Sequence, residues 1–500
     1  MERPQWMKTA IYRLKQADLR PDVSLQPHQQ EAAESLAQSP RQLFYMGLGS
    51  GKSLAGIAGA ESSRQPYTAV VPAALRGNFT KEIDKFTDHS VPSEVVSQES
   101  VALGRRPQNL GTVIVDEAHR LRTEDALRTK AVQDVARRAD RLVLLSGSPI
   151  VNEPADLAPL VSMLTNQPIS TKAFKERYVN KHQVYPGLWN SWWHGIKPGV
   201  EEGPQNVKEL KKLLSGKVKY FAPSKPMVEV QPENVEVPMG PEQEQLYRHM
   251  WGRLPFTMRW KLQRQFPLSQ DEARSLTAFL SGPRQVGLST LPFMENKDPL
   301  KAYQQSTKIQ EAMKRLQENL KDPAGKAVVY SNFIDAGLSP YAAALQQAGI
   351  PYSSFHGKLD DKAKKKAVDD YNSGKSRVML LGPAGAEGIS LKGTRLLQLL
   401  DSYWNAARIQ QAIGRGVRFD SHTDLPEDQR NVRVERYYSK LPARPSLLRR
   451  AWESLLGAKD VPQKYEAGPD DYLEATSQQK ERLNEKFREI LREVGRMQAA

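Results

Sequence analysis

Short apolar runs alternate with helical patterns along the first third of the chain. Between residues 25 and 164, several runs rich in β-branched residues are closed by turn or polar residues. Such runs are typical of strands buried in a parallel sheet. The candidate strands are 67–72, 112–117 and 141–147, and the helical patterns between them are 77–86 and 126–139. This alternation predicts an α/β sheet with helices on both faces.

The same alternation returns after a middle segment of different character. From about residue 166 to 301, prolines are numerous and the recognisable patterns are helical, at 241–254 and 268–282. Farther along, the candidate strands are 326–332, 377–382, 395–401 and 432–438, and the candidate helices are 338–349 and 361–374. We therefore predict four parts, which are a first lobe (1–165), a helical insertion and linker (166–300), a second lobe (301–445) and a helical tail (446–500).

The tail carries one apolar stripe at helical spacing. Its members are Leu483, Phe487, Ile490, Val494 and Met497. Intervals of four and three residues place these side chains on one face of a helix. We expect this face to dock onto the second lobe, and the alternative is that it joins a partner chain.

Composition adds a charge preference and several exclusions. The 500 residues include 72 Lys and Arg against 57 Asp and Glu, which gives a formal charge of +15 and a pI near 9.6. This surplus favours a polyanionic partner, with nucleic acid preferred to an anionic membrane. The alternative is a basic surface that is only solvated. The absence of cysteine excludes disulfides, zinc ribbons and thiol catalysis. We see no spanning apolar run and no secretory signal, and expect a protein that is not secreted but cytoplasmic, nucleoid-associated or viral.

The first candidate for chemistry is the glycine-rich stretch 43–59, which combines a strand, a turn and a helix pattern. Backbone N–H groups at such a helix start can bind phosphate, a lysine neutralises the β- and γ-phosphate oxygens, and a hydroxyl holds Mg²⁺. Lys52 and Ser53 stand at the positions that these roles require, after Gly47, Gly49 and Gly51. Met46 replaces the usual first glycine of the pattern, so a flexible loop with a chance Gly-Lys-Ser remains the alternative.

The second candidate is an acidic pair at the end of the apolar run 112–115. Asp116 could reach a Mg²⁺ ion held with a nucleotide on the neighbouring loop, and Glu117 could polarise the attacking water. A strand that ends on a solvated acidic pair is the alternative. The combination with Gly-Lys-Ser upstream favours an ATP and Mg²⁺ site.

Together, Gly51-Lys52-Ser53 and Asp116-Glu117-Ala118-His119 resemble the superfamily 2 helicases and translocases. Further stretches resemble the Snf2-like branch of that superfamily in the expected order along the chain. They are 25–32, 70–83 and 144–150 in the first lobe, and 327–333, 355–357, 382–391 and 399–419 in the second. The segment after 419 is similar to poxvirus-type nucleoside triphosphatases and their large-virus relatives, and indicates a viral or phage-like source.

The resemblance implies two RecA-like parallel-sheet lobes with a mostly helical insertion between them and a C-terminal helix. It also implies roles for residues at the matching positions. ATP binding would involve Gln29, Gly47, Gly49, Ser50, Gly51, Lys52, Ser53, Glu387 and Gly388. Catalysis would add Gln411, Arg415 and Arg418 to Lys52, Asp116 and Glu117. Coupling of hydrolysis to lobe movement would use His119, Ser146 and Ser148. Contacts to DNA would come from Arg76, Asn78, Asn332, Trp404 and Asn405.

Arg415 and Arg418 are three residues apart on a presumed helix, so both can point from one face toward phosphates bound by the first lobe. Arginines in that position offset charge that develops on the transferred phosphoryl group. The alternative is a solvated basic helix face.

The expected activity is ATP-driven movement of a monomer along duplex DNA. One alternative is a helicase that separates strands of branched DNA or RNA. Another is a viral or phage accessory ATPase in transcription or packaging, bound to a protein partner. A metabolic phosphate-loop ATPase is disfavoured, because such an enzyme needs no second lobe.

Overall fold

A computed structural model describes residues 19–47, 49–184, 199–222, 228–258, 276, 279–383, 391–401, 430–442, 465–466 and 469–496. The chain divides into two compact units. The first unit comprises Met1–His182, Glu202–Pro226 and Lys480–Ala500, and the second comprises Gln183–Glu201 and Met227–Gln479. The first unit is therefore assembled from three separate ranges of the sequence.

A six-stranded parallel sheet organises the first unit. Its strands are β1 (Arg41–Met46), β2 (Tyr67–Val71), β3 (Ser93–Ser97), β4 (Thr112–Val115), β5 (Arg141–Ser146) and β8 (Val218–Phe221). Strands β6 (Val179–Val184) and β7 (Gly199–Pro204) form a separate two-stranded sheet. The spatial order is β3-β2-β4-β5-β1-β8. Because all six strands are parallel, the carboxyl ends of β4, β5 and β1 lie side by side at one edge.

Helices cover both faces of this sheet. They are α1 (Pro27–Ser35), α2 (Lys52–Glu61), α3 (Arg76–Phe86), α4 (Gln98–Ala102), α5 (Leu127–Arg138), α6 (Leu157–Thr165), α7 (Thr171–Tyr178) and α8 (Val207–Leu214). Successive strand residues enter opposite cores, as Leu144 of β5 joins one buried cluster and Leu145 joins the other. Burial on both faces explains why the strands are apolar throughout rather than alternating with polar residues.

The second unit contains a second parallel sheet. Its strands are β9 (Glu229–Pro238), β10 (Lys326–Tyr330), β11 (Tyr352–Phe355), β12 (Val378–Leu381), β13 (Thr394–Leu399), β14 (Asn431–Pro442) and the short β15 (Tyr465–Glu466). The order is β11-β12-β10-β13-β14, with β9 parallel to β14 and β15 antiparallel to it. The helices assigned from residue 241 onward are α9 (Pro241–Gly252), α10 (Ser281–Leu288), α11 (Pro299–Gln305), α12 (Thr307–Leu320), α13 (Ser339–Gln347), α14 (Asp361–Asn372) and α15 (Pro469–Gly495).

The predicted fold class is confirmed, since each unit is an α/β layer structure built on a parallel sheet. The runs proposed as strands in both lobes form strands at the expected places. Helices α9 and α10 lie in the middle segment that we predicted to be mostly helical. That segment also contributes one strand to each sheet, β8 to the first and β9 to the second. Most of the predicted helix at 268–282 lies outside the described residues.

The predicted docking of the tail onto the second lobe is wrong. Leu483, Phe487 and Ile490 of α15 are buried in the first unit, in the cluster that also contains Leu43 and Val113. The amphipathic stripe was predicted correctly, but its partner is decided by tertiary packing that the stripe itself does not encode. Because these side chains are covered by the first unit, the alternative that this face joins a partner chain is not supported. Met497 lies outside the described residues.

Among the described residues, no helix is both long and apolar enough to cross a membrane.

Truncating Phe487 should destabilise the first unit, because its ring is buried against Phe174, with 6.4 Å between ring centroids. Phe487→Ala should cost about 3–5 kcal/mol, which lowers the melting temperature of this unit by roughly 6–20 °C. Differential scanning calorimetry measures the shift. The matched control is Arg482→Ala on the exposed side of the same helix, which should change stability by less than about 0.5 kcal/mol. Equal melting temperatures for Phe487→Ala and Arg482→Ala would contradict the docking of α15.

Candidate active site

The glycine-rich loop joins β1 to α2 at the carboxyl edge of the first sheet. Gly49 and Gly51 have φ angles of +77° and +70°, a region that glycine enters without strain. The loop is braced internally, because Ser50 Oγ donates to the Gly47 carbonyl at 2.7 Å. The Gly47 N–H donates to the Phe221 carbonyl of β8 at 3.0 Å. The first N–H groups of α2, which begins at Lys52, have no partner within the helix and can bind an anion.

Two side chains from the start of α1 hold this loop from outside. Gln29 Nε2 donates to the Ser50 carbonyl at 3.1 Å, and His28 Nε2 bonds to the same oxygen at 2.8 Å. A carbonyl only accepts, so His28 carries a proton on Nε2. The His28 ring also stacks on Phe221, with 3.6 Å between centroids and planes 1° apart. Gln29, predicted to take part in ATP binding, thus contacts the phosphate loop in this structure.

The acidic pair follows β4 at the same edge of the sheet. Asp116 is only 5% exposed, and its Oδ1 accepts the Glu117 N–H at 2.9 Å. Glu117 has a φ of +49°, in the left-handed region that non-glycine residues rarely occupy. Lys52 Nζ lies 3.6 Å from Glu117 Oε1. The structure therefore brings the phosphate-loop lysine and the acidic pair together.

Burial dominates the electrostatics of Asp116. Removal from water, with the charge of Glu117 added, raises the pKa of Asp116 to about 7, while Lys52 acts in the opposite direction. The Lys52 ammonium group therefore does not offset both the burial of Asp116 and the neighbouring charge of Glu117. A further cation beside Asp116 would favour its ionised form.

His119 links the acidic pair to the end of β5. Its Nδ1 lies 3.3 Å from Glu117 Oε2 and 3.3 Å from Ser146 Oγ. Burial lowers the pKa of His119 to about 4, with Glu117 opposing the shift. The ring is therefore neutral near pH 7, and its contact with Glu117 is a hydrogen bond rather than an ion pair. Ser146 Oγ also accepts the Ser148 N–H at 3.1 Å, so all three predicted coupling residues are connected.

The residues present fit ATP with Mg²⁺. The loop N–H groups and Lys52 suit a polyphosphate, and the Ser53 hydroxyl and Asp116 carboxylate are the oxygen ligands that Mg²⁺ prefers. Ser53 is the second residue of α2, next to Lys52.

In the second unit, polar residues also collect where buried parallel strands end. Asn332 follows β10, and Asp401 follows β13. Asn332 Nδ2 donates to Asp401 Oδ2 at 2.7 Å, and its N–H donates to Oδ1 at 2.9 Å. Arg284 Nη2 of α10 lies 3.4 Å from Asp401 Oδ2, and its guanidinium lies over the Phe333 ring. Asp401 therefore organises this edge.

Comparison with known proteins decides the family. The SNF2-related domain matches residues 93–287, and the helicase conserved C-terminal domain matches residues 308–420. The chain belongs to the SNF2-related helicases. Membership of this ATPase family makes the protein an ATP hydrolase, and ATP is its nucleotide.

Relatives of this SNF2-related protein have mixed names. A protein of Acanthamoeba polyphaga mimivirus, named putative ATP-dependent RNA helicase L538, is 25% identical over 94% of this chain and 97% of its own length. The Bos taurus protein named DNA annealing helicase and endonuclease ZRANB3 is 24% identical over 75% of this chain and 35% of its own. The solved Sulfolobus solfataricus SWI2/SNF2 ATPase core in complex with dsDNA is 17% identical, covers 95% of this chain and 98% of its own, and has a TM-score of 0.35.

The other predicted site residues of this SNF2-related protein divide into two groups. Arg76 and Asn78 are exposed on the first turn of α3. Asn332 is half-buried, and its carboxamide is engaged by Asp401 and by the Tyr330 hydroxyl, which donates to Oδ1 at 3.1 Å. The remaining candidates lie outside the described residues and are Glu387, Gly388, Trp404, Asn405, Gln411, Arg415 and Arg418.

Sequence reasoning did not single out His28, Phe221, Asp401 or Arg284. Asp401 could have been found by the rule that found Asp116, because both are acidic residues directly after a buried apolar strand. His28 and Phe221 carry no such signal, since their contact requires β8 to pair with β1.

Replacing Gly51 by alanine should damage the phosphate loop in two ways. Its φ of +70° strains alanine by about 1–2 kcal/mol. The new methyl group would also lie 2.2 Å from Gln29 Nε2 and displace that side chain. We expect a loss of roughly tenfold to a hundredfold in kcat/KM for ATP, measured by steady-state hydrolysis.

Gly216→Ala is the matched control, because Gly216 has a similar φ of +72° but open space around the new methyl group. Both variants should lose comparable stability, and only Gly51→Ala should lose activity. Equal kcat/KM in the two variants would show that the position of Gln29 is unimportant.

Proposed function

We propose that this protein uses ATP hydrolysis to move along duplex DNA without separating its strands. The observation that carries the proposal is the meeting of Lys52, Glu117 and Asp116 beside the phosphate loop, at one edge of a parallel sheet. Two α/β units and a formal charge of +15 support a motor that acts on a polyanion. The name of the bovine relative supports DNA as that polyanion.

In this proposal, each described residue of the first unit has one task in hydrolysis. Lys52 holds the β- and γ-phosphates, and the Ser53 hydroxyl and Asp116 carboxylate hold Mg²⁺, which supplies charge compensation on the phosphates. Glu117 accepts a hydrogen bond from the attacking water. Its left-handed backbone directs it from the strand end toward Lys52, which explains why the strain is retained.

The family resemblance alone assigns residues of the second unit to the same site. Arg415 and Arg418 would stabilise charge on the transferred phosphoryl group, with Gln411 beside them. Glu387 and Gly388 would line the nucleotide cleft. All of these residues lie within the range 308–420 that matches the helicase conserved C-terminal domain.

Coupling to movement would begin at His119. A neutral imidazole that contacts both Glu117 and Ser146 can respond to a change at the phosphates, and Ser146 in turn holds the Ser148 N–H. Release of the hydrolysed phosphate would thus alter the loop after β5 through three hydrogen bonds, which join Glu117 to His119, His119 to Ser146 and Ser146 to the Ser148 N–H.

DNA would be held through its phosphates, without readout of base sequence. Arg76 and Asn78 are exposed on α3 and are candidates in the first unit. Trp404 and Asn405 are candidates in the second unit. Asn332 would need to exchange its hydrogen bonds with Asp401 to take part, so we assign it a positioning role first. We propose a monomeric motor.

The principal alternative is a helicase that separates RNA or branched DNA strands. It is favoured by one observation, the mimivirus relative named as a putative RNA helicase, which is similar along nearly the whole of both chains. A viral accessory ATPase in transcription or packaging shares the same hydrolytic site and differs in its partners.

Lys52→Ala tests the hydrolytic site. Removal of the ammonium group should lower ATP turnover by roughly 10²–10³-fold, because charge on the transferred phosphoryl group loses its counter-charge. Nucleic-acid binding, measured by fluorescence anisotropy, should stay near the wild-type value. Lys212→Ala on an exposed position of α8 is the control for loss of one positive charge. Wild-type turnover in Lys52→Ala would refute the site.

A nucleic-acid panel tests the substrate. We expect ATP turnover to rise most with duplex DNA, less with single-stranded DNA and least with RNA. Displacement of a triplex-forming strand should be observed without displacement of a duplex strand. Binding should weaken linearly in a plot of log affinity against log salt. Greater stimulation by RNA, or efficient duplex separation, would support the alternative instead.

A further inference from the structure

The last part of α15 contacts two elements that carry the ATP site. Besides its apolar side chains in the core of the first unit, it presents Arg488 and Arg492 to that unit. Arg488 reaches the loop after β5, and Arg492 lies over Tyr220 of β8 with 5.8 Å from its guanidinium carbon to the ring centroid. The apolar stripe in the sequence indicates neither contact.

Arg488 is buried at 5% exposure and bonds to one backbone oxygen of the loop. Its Nη2 donates to the Ile150 carbonyl at 3.1 Å. Its Nη1 donates to Glu481 Oε1 at 2.5 Å and to Glu485 Oε2 at 3.2 Å, both on α15 itself. Nη2 also donates to Glu481 Oε2 at 3.5 Å, so the two carboxylates hold the guanidinium in the orientation in which Nη2 reaches the loop.

The loop receiving this bond is the one that begins with Ser146 and Ser148. A second buried group also holds it, because Asp156 Oδ2 accepts the N–H groups of Val151 at 2.9 Å and Asn152 at 2.5 Å. Ile150 is two residues from Ser148. The Arg488 bond therefore fixes the end of the segment whose beginning contacts His119.

The contact through β8 leads to the phosphate loop. Tyr220 also forms a backbone bridge with Arg496 near the end of α15. The next residue, Phe221, accepts the Gly47 N–H and stacks on His28. One helix therefore supports both the phosphate loop and the loop after β5.

We propose that Arg488 is a positioning residue for ATP hydrolysis, which sets the Ser146–Ile150 segment through the Ile150 carbonyl. The inference rests on the proposed coupling role of that segment. Stability alone does not explain the arrangement, because burying the Arg488 guanidinium is costly. Its partners Glu481 and Glu485 keep 31% and 49% of their side chains exposed, which weakens their attraction to it. A guanidinium directed at a loop carbonyl is better explained by the conformation that it imposes.

Arg488→Met tests the proposal, because it keeps the length and the packing of the side chain but removes its donors. We expect affinity for a fluorescent ATP analogue to remain near wild type. The kcat stimulated by duplex DNA should fall by roughly tenfold to a hundredfold. Arg488→Lys retains a charge that can reach one partner, and should recover part of this loss.

Two controls separate positioning from packing. Phe487→Leu perturbs the neighbouring buried position, so it reports what destabilisation alone does to kcat. Arg482→Met removes an exposed charge from the same helix. The proposal is overturned if Arg488→Met keeps the wild-type kcat. It is also overturned if Phe487→Leu has the same melting temperature as Arg488→Met and loses as much kcat. If Arg488→Met does not fold, the proposal is overturned by an Arg488→Lys variant that has the wild-type melting temperature and an unchanged kcat.

Failure of the proposed function would be seen separately. If no nucleic acid stimulates wild-type turnover, the motor proposal fails, and the effect of Arg488→Met is then determined from basal kcat against KM. A fall in basal kcat at unchanged KM supports the positioning role, and no fall contradicts it.

Discussion

The burial of Asp116 is the constraint on which the rest of the site depends. A carboxyl group taken out of water at a strand end must lose its charge or obtain compensation. The molecule gives partial compensation, through the Glu117 N–H and through Lys52 from the start of α2. This places the helix start, the acidic pair and the glycine loop within one small region. Together, these groups suit a nucleotide polyphosphate.

Parallel sheets explain why chemistry gathers where it does. Both faces of each sheet are covered by helices, so the carboxyl edge is where polar side chains can meet a ligand. The first unit uses this edge for Lys52, Asp116 and Ser146. The second unit repeats the principle with Asn332 and Asp401, whose hydrogen bonds join the ends of β10 and β13. The conformation of a loop at this edge therefore depends on the loops that follow the neighbouring strands rather than on residues close to it in sequence.

The sequence was sufficient for the buried strands and for the positions of the glycine-rich loop and the acidic pair at strand ends, because both depend on local signals. Runs such as 112–115 are apolar and β-branched, and Gly51-Lys52-Ser53 has few other uses at the start of a helix. The edge strands were missed for physical reasons. β9 contains Pro232 and Pro238 and several glutamates, which a sheet edge tolerates and a central strand does not. The docking of α15 and the burial of Arg488 depend on contacts between distant parts of the chain, and an amphipathic stripe does not specify its partner.

The division of the first unit into three ranges has a consequence for biosynthesis. Roughly 300 residues separate His182 from Lys480, and a ribosome adds them in about 15–60 s at ordinary elongation rates. During this interval the nascent first unit lacks the helix that carries Phe487, and its apolar surface beside β1 and β4 stays uncovered. The first unit therefore completes its core only after the second unit has been translated, and until then the emerging chain exposes apolar surface of the kind that promotes aggregation.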